Sequence, residues 1–377
     1  MEFKLLIKKL NGELTDEEKN SFDSWYEESE KHREYFAKVK ENYYKEPFSV
    51  NTDKAYSNLK GKYNLKKKKN QPYKKVAIAA ITVGVAFMSY LLYKPGLKKE
   101  KQPAVVSTTL EIPYGSSKAI LSKDDGTKVV LSKGVKYEDD QIISNGKEIA
   151  YKHADNKSGE VNYNTLKVPR GGIFKIKLSD GTLVWLNSES EIRYPVSFNK
   201  NQSRKVELHY GEAYFDVSSS EKNHGTSFEV LSHKQSIEVV GTQFNVKAYK
   251  EDPVIATTLV EGKVTIESPV SRQKLVPGNQ SIFNKNNTEV SVNTVNVHDY
   301  ISWKEGWFSF TDKPLKEIMK VLSRWYDVDV IIENTKAGEI KFNGVFNKKQ
   351  DLKQILSIIE KTNEINFEIT NKTVVMK

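Results

Sequence analysis

The sequence predicts a multidomain α + β protein with a small N-terminal helical bundle, one transmembrane helix, a β-rich domain and a C-terminal split βαββαβ module. Three observations carry that prediction. Residues 76–93 (VAIAAITVGVAFMSYLLY) form an uncharged 18-residue run, close to the roughly 20 residues of a spanning helix. Ahead of this run apolar residues recur at helical spacing, and behind it they alternate in short stretches broken by Gly, Asn and Asp. The segments follow as a helical domain at 1–65, a basic segment at 66–75, the span at 76–93 and a linker at 94–108. A β-rich domain at 109–298 and an α/β module at 299–377 complete the chain. A length of 377 residues fits two to four domains at roughly 100–200 residues each. The absence of cysteine excludes disulfide frameworks, zinc ribbons, iron–sulfur ligation and thiol nucleophiles, and leaves the compartment open.

The first helix is expected over 12–30. Thr15 and Glu18 have the spacing of a capping box, which satisfies the first free amides, and Phe22, Trp25 and Tyr26 then fall on one face. A second helix around 31–45 carries Tyr35, Phe36, Val39 and Tyr43, and a third around 53–63 carries Ala55, Tyr56, Leu59 and Tyr63. So small a bundle buries little surface. Its aromatic stripe either packs only on itself or also forms a groove for another protein's helix.

The charge of +10 raises nucleic-acid binding, but the location of the lysines answers it. Lys66, Lys67, Lys68, Lys69, Lys74 and Lys75 precede the apolar run, and Lys94, Lys98, Lys99 and Lys101 follow it beside Glu100. These flanks carry nine of the ten excess charges, so the basic residues form a membrane collar and lipid headgroups are the phosphates they meet. Over 20 residues on each side, eight lysines precede the run and four follow it, which keeps the N terminus in the cytoplasm. A cleaved signal peptide would place its apolar core within roughly the first 15–30 residues. A buried helix of a soluble domain is usually amphipathic or shorter.

Beyond the linker, two stretches resemble each other: LEIPYGSSKAILSKDDGTKVVLS at 110–132 and LKVPRGGIFKIKLSDGTLVWLNS at 166–188. Each reads as strand, Pro-containing turn, strand, Asp-Gly-Thr hairpin, strand. Asp125–Gly126 and Asp180–Gly181 supply the conformations of tight turns, so both are assigned to structure. Strands continue through VELHYGEAYFDV, SFEVL, QSIEVVGTQFNVKAY, IATTLVEGKVTIES and QKLVPGNQSIF, at the spacing of a sandwich, barrel or solenoid. Gly211, Gly241, Gly262 and Gly278 are placed at strand ends, in turns or bulges. From 301 onward the order is a strand at 307–310 and a helix capped near Asp312 with Leu315, Ile318, Met319, Leu322 and Trp325 inward. The strands VDVII and IKFNGVF, a helix from Asp351, a strand INFEI and a last edge strand TVVM follow.

No chemistry is legible. The histidines at 32, 153, 209, 224, 233 and 298 lack ligand spacing, and no GxSxG, Walker, GxGxxG or HExxH motif occurs. Glu212 and Asp216 have no evident partner that would shift a pKa. The expectation is a non-enzyme without metal, cofactor or catalytic residues.

The ordered motifs VPRGG, LSDGTLVWLNSESEIRYPVSF, VELHYGEAYFDV, SFEV, VVGTQFNVKAY, TTLVEGKVTI, LVPGNQ and WKEGWFSFTDKPLKEIMKVLSRWYDVDV resemble the FecR family of transmembrane anti-sigma factors, of the kind paired with SusC/TonB-dependent outer-membrane importers. The match runs from about 110 to 377, and the cytoplasmic GELTDEE…W segment matches more loosely. The resemblance implies an inner-membrane, single-pass protein whose cytoplasmic domain binds an extracytoplasmic-function (ECF) sigma factor. Its periplasmic part would receive a signal from the importer's signalling domain. Phe22, Trp25, Tyr26, Tyr35, Phe36 and Val39 become candidate sigma contacts. Asp180, Gly181, Thr182, Trp185, Leu186, Asn187, Gly211, Gly241, Thr242, Phe244, Gly262 and Gly278 become family fold determinants, and the C-terminal module resembles the secretin/TonB short domain. Release of the sigma factor would follow proteolysis of the periplasmic part or a conformational change through the helix. The rival reading is a single-span envelope protein whose β domain grips glycan or a wall partner on an aromatic platform, with Tyr194, Tyr210, Tyr214 or Trp303 as its surface.

Overall fold

The computed structural model describes residues 6, 9, 10, 14–43, 112–138, 142–151, 161–199, 201–362 and 365–377. The expected helix at 53–63, all the collar lysines (66, 67, 68, 69, 74, 75, 94, 98 and 99), the apolar run at 76–93 and the linker lie outside them. Among the described residues no helix is long and apolar enough to cross a membrane.

Two helices open the described chain, Asp16–Glu28 and Glu30–Tyr43. The first begins where its sequence dictates. Thr15 accepts from the Glu18 amide, and the Glu18 carboxylate accepts from the Thr15 amide at 3.0 Å. Asp16, Glu17 and Glu18 face the positive end of the helix dipole. Thr15→Ala removes about 1 kcal/mol of helix stability. The expected readout is hydrogen exchange of the Glu18 and Lys19 amides accelerated about fivefold, with unchanged rates in the β domain.

Eighteen strands between Ser116–Lys123 and Val290–Thr294 connect through hydrogen bonds into one network. Most neighbours are antiparallel, and three pairs are parallel, among them Arg204–Asp216 with Phe228–Ser232. The 13-residue strand Arg204–Asp216 joins the two halves of the network. Its first half pairs with Ser190–Pro195 and Phe228–Ser232, and its second with Leu183–Leu186 and Gln243–Ala248. The register shifts between Leu208 and Tyr210, and burial changes there from alternating to nearly continuous. Gly211 follows at φ +98°, and a Cβ on it would sit 2.2 Å from Ser190 Oγ. Gly211 thus works inside a strand, at the bend where one ladder hands over to the other, and not at a strand end as its sequence context predicts. One apolar core, including Leu121, Leu166, Ile192, Phe215, Phe244 and Phe283, lies between the halves.

Residues 112–115 join no ladder, because Ile112 is buried in the core of the C-terminal module and Gly115 lies directly under the Trp325 ring.

That module contains the strand Trp307–Pro314, helix Leu315–Tyr326, strands Asp329–Ile332 and Lys341–Asn347, helix Leu352–Thr362, and strands Phe367–Thr370 and Thr373–Met376. Two expectations change here. Asp312 does not cap the helix: a bulge between Phe310 and Lys313 carries the first strand on to Pro314, and Asp312 sits at φ +51° within it. The last strand is central and not an edge. It runs parallel to Asp329–Ile332 and antiparallel to Phe367–Thr370, with Val374 and Met376 fully buried.

Candidate functional site

Two places bring the candidate residues together. The first is the helical hairpin. Phe22 is buried and contacts Tyr26 at 5.6 Å and Phe36 at 4.9 Å between ring centroids, while Trp25 meets Tyr35 edge-on at 6.4 Å. Trp25, Tyr26, Tyr35 and Phe36 stay half-buried, and the side chain of Val39 lies outside the description. His32 stacks on Trp25 at 4.6 Å, and its Nδ1 bonds the Trp25 carbonyl oxygen. Leu6 and Leu10 join the same cluster, a contribution that sequence reading left unassigned. Trp307 and Val345 of the C-terminal module also pack against it.

The second place is the junction between the β domain and the C-terminal module. The VPRGG motif, expected as a turn, supplies Arg170, whose guanidinium donates to the carbonyl oxygens of Ser323 and Val328 at the end of the Leu315–Tyr326 helix. A cation there meets the negative end of the helix dipole, and Asp327 lies 3.4 Å from Arg170 Nε. The Gly171 amide donates to the Arg324 carbonyl oxygen at 2.7 Å. Arg324 returns the contact: it is buried, ion-paired with Glu251 and Glu189, and covers the Tyr249 ring at 3.6 Å.

Deeper in the junction, Glu212 is buried and accepts hydrogen bonds from Asn187 Nδ2 at 2.8 Å and Asn245 Nδ2 at 3.1 Å. Asn245 Oδ1 accepts from Trp303 Nε1. Lys348, 3% exposed, reaches this network from the other module. Its ammonium lies over Trp325 at 3.8 Å and donates to the Trp303 carbonyl oxygen at 3.5 Å. Burial pulls its pKa down to about 7, against the opposing field of Glu212. Glu212 thus has partners that its sequence neighbourhood did not reveal.

The DGT motif at 180–182 is more than a turn. Asp180 accepts from the Thr182 amide and hydroxyl, and its Oδ2 lies 2.6 Å from Arg204 Nη1, both side chains being 2% exposed. Trp185 meets Tyr214 edge-on at 5.7 Å, and Leu186 and Phe244 are fully buried. Gly241 and Gly262 lie against each other beside Thr242, whose hydroxyl donates to the Lys263 carbonyl oxygen. Gly278 holds an open turn at φ +88°. The platform required by the envelope-binding reading is absent at its four expected residues. Tyr194, Tyr210, Tyr214 and Trp303 are 8% exposed or less, and their polar ends bond Tyr151, Glu191, Gln243 and Asn245.

Residues 164–265 match the family model described as FecR protein, and residues 307–376 match FecR, C-terminal. These matches make the β domain and the C-terminal module those of the FecR family. Two crystal structures of a candidate anti-sigma factor from Parabacteroides distasonis are similar to it, at 29% and 28% identity, each with a TM-score of 0.52. They align with 56% and 57% of this chain and 98% of their own. No curated protein matches.

Proposed function

We propose that this chain is a transmembrane anti-sigma factor. The helical hairpin holds an ECF sigma factor away from RNA polymerase, and the run at 76–93 crosses the inner membrane once with the N terminus in the cytoplasm. The β domain and C-terminal module then lie in the periplasm, where the signalling domain of a SusC/TonB-dependent outer-membrane importer addresses them. The observation that carries this reading is the similarity to the Parabacteroides distasonis candidate anti-sigma factor over 98% of that chain. The lysine collar around an uncharged 18-residue run supports the span.

A span at 76–93 separates the hairpin from the C-terminal module by a bilayer. The contact of the hairpin cluster with Trp307 and Val345 is then unavailable in the membrane, and the half-buried faces of Trp25, Tyr26, Tyr35 and Phe36 are left for a partner. Large aromatic side chains at the centre of an apolar face are the usual anchors of such interfaces.

The test is a pull-down from the native cell with tagged residues 1–75, the captured proteins being identified by mass spectrometry. Recovery of a single sigma factor is the expected result, and its loss with Trp25→Ala would assign the aromatic face. A clean preparation that captures no sigma factor would sink this reading.

A further inference from the structure

A cleft of about 550 Å³ opens beside the junction, lined by Lys118, Lys167, Arg170, Tyr210, Lys250 and Asp327 among others. Its volume is that of a small-molecule site. The acids on its wall each have a cation partner: Asp327 has Arg170 and Lys372, while Glu189 and Glu251 share Arg324. Three lysines are not balanced in the same way. Lys118 rises from the Ser116–Lys123 strand over Gly171 and makes no ion pair among the described residues. Lys250 lies over the Tyr210 ring at 3.8 Å, with no carboxylate of the described residues at ion-pair distance. Lys167 faces Glu191 across the ladder, feeling its charge without closing to an ion pair.

Three ammonium groups from separate segments, together with Arg170, border one concave space lined by three acids, so cations outnumber acids there. Like charges gathered this way repel, and an anion that bridges them relieves that cost. Both tyrosines of the cleft are buried, at 8% and 2% exposed, and leave no open ring face for stacking. Recognition must therefore come from charge and hydrogen bonding. We propose that this cleft binds a small organic polyanion, a molecule carrying two or more carboxylate or phosphate groups, through Lys118, Lys167 and Lys250. This site is separate from the hairpin face and goes beyond the sigma-binding reading.

The experiment is isothermal titration of the detergent-purified full chain at about 0.15 M salt, where non-specific surface attraction is largely screened. Inorganic pyrophosphate and tricarballylate serve as the phosphate and carboxylate probes. Saturable single-site binding of at least one probe is expected, and the tighter of the two identifies the preferred head group. Lys118→Gln with Lys250→Gln should weaken that binding about tenfold or more. Lys234→Gln with Lys274→Gln, an equal loss of charge at exposed positions outside the cleft, should leave it unchanged. The thermal midpoint of the Lys118→Gln/Lys250→Gln protein, without ligand, should equal or exceed that of the wild type, which rules out misfolding as the cause. Absence of saturable binding for both probes overturns the proposal, as does equal weakening in the two double variants.

Discussion

Asp180→Ala destabilises the β domain by roughly 3–5 kcal/mol, while Asp125→Ala, at the matching position of the other repeat, costs far less. The two aspartates make the same local turn bond, to the Thr182 and Thr127 amides respectively. They differ in what else they hold. Asp125 is exposed, whereas Asp180 neutralises Arg204 inside the protein. Without Asp180 the guanidinium keeps only the Ser218 and Thr226 carbonyl oxygens and remains a buried charge without a counter-ion. Urea unfolding of the two variants tests the contrast. Adding Arg204→Met to Asp180→Ala should recover much of the loss, because removing both charges avoids the uncompensated one. An unchanged midpoint for Asp180→Ala alone would refute the role assigned to the pair.

Lys348→Met should stabilise the protein at pH 7 and below by roughly 1–4 kcal/mol and flatten its pH dependence. In the folded chain burial holds the ammonium at a pKa of about 7, and in the unfolded chain it returns to about 10.4. Between these values the unfolded state binds more protons, so wild-type stability rises as pH increases from about 7 to about 10. Below pH 7 both states are charged and the cost of the buried ammonium is carried in full, offset in part by the face of Trp325. Unfolding midpoints at pH 6, 8 and 10 give the slope, and the difference between wild type and variant isolates Lys348 from other titrating groups. Identical slopes would show that the ammonium is hydrated when folded.

Local signals in the sequence were sufficient for the first helix, the strand-rich middle and the two C-terminal helices. Thr15 and Glu18, the alternation of Val206, Leu208 and Tyr210, and Leu315 to Trp325 at helical spacing each act within a few residues, so periodicity and capping reveal them. The junction was not legible for the opposite reason. Arg170 meets the end of a helix more than 150 residues away, and Lys348 sits beside Trp303 and Trp325 through chain reversal; no spacing rule encodes such partners. Asp312 misled because a residue suited to helix capping was taken up by a strand bulge instead. The four aromatics of the supposed platform misled because bulky aromatics serve cores and surfaces alike, and only tertiary packing decides between them.

Ile112 belongs to the core built from residues 308–376, although almost two hundred residues separate it from that module. Ile112, near the start of the β-rich region, is thus anchored in the C-terminal module and not in the β domain that follows it in sequence. Load applied to the C-terminal module reaches residue 112 directly, through its buried side chain and the Trp325 ring over Gly115, and truncating the last seventy residues would remove that anchor as well as a domain.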